Sequence, residues 1–129
     1  NEKNNGLAVL KLINDNLVLS AHDISSGGIL TALAEMSISS CLGLKIYKPQ
    51  KLTNSFEYYF GEDQGRYLLE ISKNNLEKIE TFLKKNNIFF EIIAEVQKDI
   101  FEVEKVFNIK TKDLCNYNNQ WYSKFNAIN

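Results

Sequence analysis

The densest chemistry in this chain lies between a short apolar run and a helical stripe, in His22, Asp23, Ser25, Ser26, Gly27 and Gly28. His22 is the only histidine. An imidazole beside a carboxylate could act as a general base or a metal ligand, although the same pair could simply organise a turn. Asp23 has two readings of its own, a Mg²⁺ contact or a helix cap, because both need ionised oxygens. Ser25 or Ser26 is a natural N-cap. Two glycines in a first helical turn cost helix stability, so they need a reason. Backbone N–H groups at a helix start lack intrahelical partners and sit at the positive end of the dipole, so glycines there could let a phosphate approach. Close packing of the loop against another domain would explain them equally. On either reading, bulkier replacements are expected to act on assembly or ligand binding more than on the fold.

A second polar cluster, Glu62, Asp63, Gln64 and Arg66, precedes an alternating run. Arg66 is the one arginine among fifteen basic residues, so its fork is a candidate partner for a carboxylate or phosphate. A solvated loop is the alternative. Nucleophile chemistry has less support. Cys41 and Cys115 have no histidine nearby in sequence, no serine lies in G-x-S-x-G, and the G-x-x-x-x-G-K-[ST] phosphate loop is absent.

These clusters need elements to hold them. Val9, Leu10 and Ile13 predict a helix over roughly 2–14, and Asp15-Asn16 a turn into an apolar strand from Leu17 to Ala21. Ile29, Leu33 and Met36 predict a second helix, ended near Gly43, then a short strand Leu44 to Tyr47 and a polar connection opened by Pro49. Arg66 to Ser72 alternates like a strand. Asn74-Asn75-Leu76-Glu77 reads as a capping box before the stripe Leu76, Ile79, Leu83, which ends near Asn86-Asn87. Ile88 to Val96 reads as a strand, Gln97-Lys98-Asp99 as a turn, and Ile100 to Ile109 as a further strand or pair. Thr111-Lys112-Asp113 starts a last helix with the stripe Leu114, Tyr117, Trp121 and Phe125, in which Trp121 is expected to anchor the helix to the core. The expected class is α/β, an α+β sandwich with a mixed sheet and helices packed on one face.

Composition bounds the rest. With 129 residues, 44% of them hydrophobic, the chain fits a single domain over 1–129. Fifteen basic against sixteen acidic residues give a net charge of -1, so no global field draws nucleic acid or acidic lipid. No apolar run reaches the ~18 residues of a membrane span, and Asn1-Glu2-Lys3-Asn4-Asn5 lacks the apolar segment of a signal peptide, which predicts a cytoplasmic protein. Two distant cysteines read as reduced thiols before they read as a long-range disulfide. The missing start methionine suggests a piece excised from a longer polypeptide.

Ser20-Ala21-His22-Asp23-Ile24-Ser25-Ser26-Gly27-Gly28-Ile29-Leu30, followed by Ala32-Leu33-Ala34-Glu35-Met36, resembles the S-A-H-D-x-S-D-G-G-L…A-L-A-E-M signature of the phosphoribosylformylglycinamidine synthase family. Phe60-Gly61-Glu62-Asp63-Gln64-Gly65-Arg66-Tyr67 resembles that family's second marker, F-x-E-x-Q-x-R-[FY]. The resemblance runs from Leu7 to about Val96 and implies the C-terminal type of domain of aminoimidazole ribonucleotide synthetase-like enzymes. Selenophosphate synthetase and thiamine-monophosphate kinase are similar too, but match this turn less well.

The resemblance implies part of an ATP-dependent carbon–nitrogen ligase of purine biosynthesis. The reaction phosphorylates the amide oxygen of formylglycinamide ribonucleotide, and ammonia then attacks to give the amidine. Implied cofactors are ATP and Mg²⁺; implied partners are the remaining synthetase domains and a glutaminase domain or subunit supplying ammonia. The catalytic histidine and most ATP contacts belong, on the same resemblance, to the other domain type. That leaves Ser25, Ser26, Gly27, Gly28, Glu62, Asp63, Gln64 and Arg66 as phosphate or ligand contacts, His22 as organiser of the turn, Asp23 as a metal-site residue and no catalytic residue here. The His-Asp-Ile-Ser form resembles the second of the family's two copies, whose cleft tends toward an auxiliary nucleotide site. Ser26 stands where the family usually has aspartate. The isolated chain is therefore expected to be inactive, and a free-standing phosphate-binding or protein-interaction module is the alternative.

Overall fold

The structure, a computed structural model, describes residues 2–49 and 54–127. The connection opened by Pro49 runs into residues 50–53, outside the described residues. Elements follow in the order α1 (Glu2–Asn14), β1 (Val18–Asp23), α2 (Gly28–Ser40), β2 (Gly43–Ile46), α3 (Ser55–Phe60), β3 (Tyr67–Ile71), a 3₁₀ turn (Lys73–Asn75), α4 (Leu76–Lys85), β4 (Ala94–Gln97), β5 (Ile100–Val103), β6 (Phe107–Lys110) and α5 (Thr111–Asn126). The mixed α/β class is as expected, but the strands form two ladders instead of one sheet: β1 with β3, and a four-stranded sheet in the order β4-β2-β5-β6. Two compact units result, described residues 2–32 with 54–92 and 33–49 with 93–127.

In the first unit, α1 and α4 supply Ala8, Leu12, Ile79 and Leu83 to a buried cluster with Leu17, and Val18, Leu69, Ile71, Phe82, Ile88 and Phe90 pack against it. Burying each of the leucine and isoleucine side chains is worth about 1.5–3 kcal/mol, which holds the helices on the β1–β3 ladder. Both helices end the same way. Asn16 at φ 55° and Asn87 at φ 54° take the left-handed position that asparagine tolerates. The N–H groups of Leu17 and Ile88 then bond back to the carbonyls of Leu12 and Leu83, at 3.1 and 2.9 Å.

The start of α4 differs from the expected capping box. Ser72 accepts from the Asn74 N–H to open the 3₁₀ turn, while Asn75, the N-cap of α4, makes no side-chain cap bond. Its amide instead donates to the Leu17 carbonyl, 3.3 Å away. Helix α3 was not foreseen, although its signal is present: the Asn54 side chain accepts from the N–H groups of Phe56 and Glu57.

In the second unit, β2 pairs antiparallel with β4 and parallel with β5, and β5 pairs antiparallel with β6. Leu44, Ile46, Phe101 and Val103 are its buried hydrophobic residues on these strands, with Gly43 buried beside them. The expected strand over Ile88 to Val96 shortens to Ala94–Gln97, whereas Ile100 to Ile109, expected as one strand or a pair, forms the pair β5 and β6. The part of helix α2 that belongs to this unit buries Leu33 and Ser37, with Met36 only partly covered; its first turns, in the other unit, bury Ile29 and Ala32. The Ser37 hydroxyl donates to the Leu42 carbonyl at 2.5 Å, which makes a polar residue acceptable there. Helix α5 begins at Thr111 as expected, but Tyr117, Trp121 and Phe125 are 60% or more exposed, so Trp121 does not anchor the helix in a core.

Candidate functional site

Pairing of β1 with β3 brings the two polar clusters together. His22 lies opposite Leu68 and Asp23 opposite Tyr67, and the Ile24 N–H continues the ladder to the Arg66 carbonyl at 2.9 Å. At the other end Ser20 Oγ donates to Glu70 Oε2 at 2.8 Å, tying the strands through their side chains. Loop 24–27 therefore faces loop 61–66. Between them is an open cleft of about 390 Å³, lined by Glu2, Asp23, Ile24, Ser25, Ser26, Glu62, Gln64, Gly65, Arg66 and Tyr67. All of these belong to the first unit.

Both glycines at the start of α2 have positive φ, 81° at Gly27 and 72° at Gly28, a region in which L side chains are strained. Gly28 is buried, and a Cβ there would lie 2.7 Å from the Phe60 backbone. At Gly27 it would collide with the Thr31 side chain. Conformation and close approach within one unit thus account for both glycines, and bulkier replacements would act on the fold first, contrary to expectation. Two of the donors here are engaged: the Gly27 N–H bonds to Glu62 Oε1 at 2.7 Å, and the Gly28 N–H to the Ser25 carbonyl at 3.1 Å. A phosphate on the Gly27 N–H would have to displace the Glu62 carboxylate.

Arg66 is turned onto its own loop. Its Nη2 donates to the Gly61 carbonyl at 2.6 Å and lies 3.5 Å from Asp63 Oδ2. The guanidinium therefore shapes the loop while still lining the cleft. Asp63 is exposed and does not line the cleft, whereas Gln64, Ser25 and Ser26 are exposed and do. His22 Nδ1 is 2.6 Å from the Asp23 carbonyl, a bond it donates when that nitrogen carries the proton. The same nitrogen is 3.8 Å from Asp23 Oδ1.

Spacing gave no sign of the contribution from α1. Glu2 lines the cleft, Asn5 Nδ2 donates to the Gly65 carbonyl at 2.9 Å, and a Cβ on Gly65 would collide with Glu2. These residues are some sixty positions from their partners, beyond any periodic pattern. Tyr58, in α3, is likewise new: burial raises its phenol above the ordinary value, Glu91 and Tyr59 add to this, and Arg66 opposes it.

Three carboxylates, Glu2, Asp23 and Glu62, line the cleft against one guanidinium. The balance disfavours a bare anion and suits a phosphate accompanied by a cation. Among the described residues no three His, Cys, Asp or Glu side chains are grouped to hold a metal. A protein-built metal cage therefore does not fit. A Mg²⁺ carried by ligand phosphates and met by one carboxylate does, because Mg²⁺ commonly keeps its waters and takes only one or two protein oxygens.

Comparison with known proteins adds a family. The domain family described as AIR synthase related protein, C-terminal domain, matches residues 2–105. The chain is similar to the phosphoribosylformylglycinamidine synthase subunit PurL of Pelagibacter ubique, 42% identical over 125 residues that cover 97% of this chain and 17% of that protein. The subunit of the same name from Bartonella bacilliformis is 35% identical over 124 residues, 96% of this chain and 17% of that protein. The chain thus spans about a sixth of these curated relatives. Among solved structures, Thermotoga maritima PurL complexed with ATP superposes with a TM-score of 0.74 at 22% identity, over 88% of this chain and 21% of that one. PurLQS from the same organism gives 0.75 at 24%, with the same coverage. At that identity the likeness establishes the fold. No helix among the described residues is long and apolar enough to cross a membrane.

Proposed function

This chain belongs to the family of C-terminal domains of AIR synthase related proteins, which its residues 2–105 match, and from that premise we propose that it serves as that domain in a phosphoribosylformylglycinamidine synthase. The activity would be the ATP-dependent amidation of formylglycinamide ribonucleotide to the amidine, a carbon–nitrogen ligation in purine synthesis, with ammonia from a glutaminase partner. The observation that carries this reading is the joining of the two marker segments in one cleft, by the Gly27 N–H to Glu62 bond and the Ile24 N–H to Arg66 bond. Similarity to a synthase subunit over 97% of the chain supports it, as do the solved complexes of Thermotoga maritima PurL with ATP and with FGAR. On this reading the remaining synthetase domains are partners, the compartment is the cytoplasm, and neither nucleic acid nor membrane is engaged.

Within the cleft each residue has a physical task. Ser25, Ser26 and Gln64 offer exposed polar groups to a ligand; Arg66 holds the loop that presents Gln64, with Asp63 braced against it. Glu62, which lines the cleft, fixes Gly27, and Gly28 lies against the Phe60 backbone, so neither glycine itself lines the cleft. His22 organises the turn through the Asp23 carbonyl. Asp23 would meet a Mg²⁺ accompanying nucleotide phosphates, whose chemistry is to neutralise phosphate charge. No residue of this chain is assigned proton transfer.

The test uses the complete gene product containing this chain. It should convert formylglycinamide ribonucleotide to the amidine with ATP and ammonia, and Glu62→Gln should lower that rate at least tenfold, because the charged bond to Gly27 is weakened. The 129-residue chain alone should form none. Absence of conversion by the complete protein, or amidine formation by the chain alone, overturns the proposal.

A further inference from the structure

In the second unit, Cys41 Sγ and Cys115 Sγ approach to 3.9 Å across 74 positions of sequence. Both thiols point at one acceptor, the Ile38 carbonyl, at 3.6 Å from Cys41 and 3.8 Å from Cys115. The backbone makes the residue choice at position 41 unusual. Cys41 follows the end of α2 with φ 54°, the position that asparagine fills after α1 and α4, and a cysteine there is strained where asparagine or glycine would not be. Local conformation does not account for cysteine at this site. A second thiol within reach does.

We propose that Cys41 and Cys115 are a dithiol site that closes to a disulfide by exchange with a low-molecular-weight disulfide such as oxidised glutathione. Cys41 is exposed and Cys115 half-buried, which sets the order of attack. The Cys41 thiolate attacks one glutathione sulfur and expels a glutathione thiolate, leaving a mixed disulfide. Cys115 then loses its proton to solvent, attacks the Cys41 sulfur and expels the second glutathione. Two protein thiols are oxidised by two electrons, and one glutathione disulfide is reduced to two thiols. Burial, with the neighbouring Cys41 thiol, holds the Cys115 thiol above its ordinary range, in keeping with a resolving cysteine that acts after its partner is capped. Bonding requires the sulfurs to close from 3.9 Å to about 2.05 Å. The bond would tie the end of α2 to the first turns of α5.

The complete gene product, folded and reduced, is exposed to graded mixtures of oxidised and reduced glutathione, quenched with N-ethylmaleimide and digested without reductant. Mass spectrometry should find a peptide pair joined through Cys41 and Cys115, formed at least tenfold faster in the folded protein than in urea. In Cys115→Ser, glutathione should accumulate on Cys41 instead. Glutathione adducts on both cysteines without the joined pair, or joining no faster when folded than when unfolded, overturns the proposal. So does a Cys115→Ser protein whose Cys41 takes up no glutathione.

Discussion

Helices α4 and α5 carry the same kind of apolar stripe at helical spacing, yet they end in opposite environments. The α4 stripe delivers Ile79 and Leu83, 3% and 8% exposed, into a cluster shared with Ala8, Leu12 and Leu17. The α5 stripe presents Tyr117, Trp121 and Phe125 at 60% exposure or more. Periodicity thus establishes that a helix has an apolar face and leaves open what, if anything, meets it. The strongest way to break the contrast is a pair of truncations measured by urea unfolding. Leu83→Ala should cost about 2–5 kcal/mol, the range for emptying a packed core position. Trp121→Ala should cost less than about 1 kcal/mol, as surface substitutions do. Equal losses would mean that α5 is seated after all.

The same contrast explains what could be read from the sequence. Elements whose signal is local were legible: α1, α2, the β5–β6 pair, and α4 with its end at Asn86-Asn87. Both polar clusters were legible as clusters, because residue type alone marks them. That they form one cleft depends on the β1–β3 register that puts Asp23 opposite Tyr67, a pairing no periodicity encodes. The bond from Gly27 to Glu62 and that from Asn5 to Gly65 span 35 and 60 positions, and they follow only once that ladder exists. Helix α3 was missed for a different reason: six residues are too few to show a stripe, and only the Asn54 cap could have revealed it.

Helix ends sharpen the comparison at a smaller scale. After α1 and α4 the left-handed position is asparagine; after α2 it is Cys41. Cys41→Asn, under reducing conditions, should therefore stabilise the protein by about 0.5–1 kcal/mol, the order of the penalty for an ordinary L residue in that region. A matching Asn87→Cys should destabilise by a similar amount. If Cys41→Asn gives no gain by thermal or urea unfolding, the thiol's contacts to Ile38 and Cys115 already offset the strain.

The smallest expected effect comes from the start of α5, where Cys115 is half-buried while the aromatic stripe of the same helix is exposed. Burial raises its thiol in the folded state, so between the unfolded and folded values the unfolded chain has lost a proton that the folded chain keeps. Fewer bound protons in the unfolded state mean that stability falls as pH rises. The contribution is fully present below the ordinary thiol range, about pH 8.5, and is lost as pH climbs through the folded value. Reduced protein should accordingly show a downward slope of unfolding free energy above that pH. Cys115→Ala removes the titrating group, so the slope should become shallower even though the variant loses some packing. An unchanged slope would place the alkaline sensitivity elsewhere, with Tyr58, raised in the same direction by its own burial, as the next group to replace.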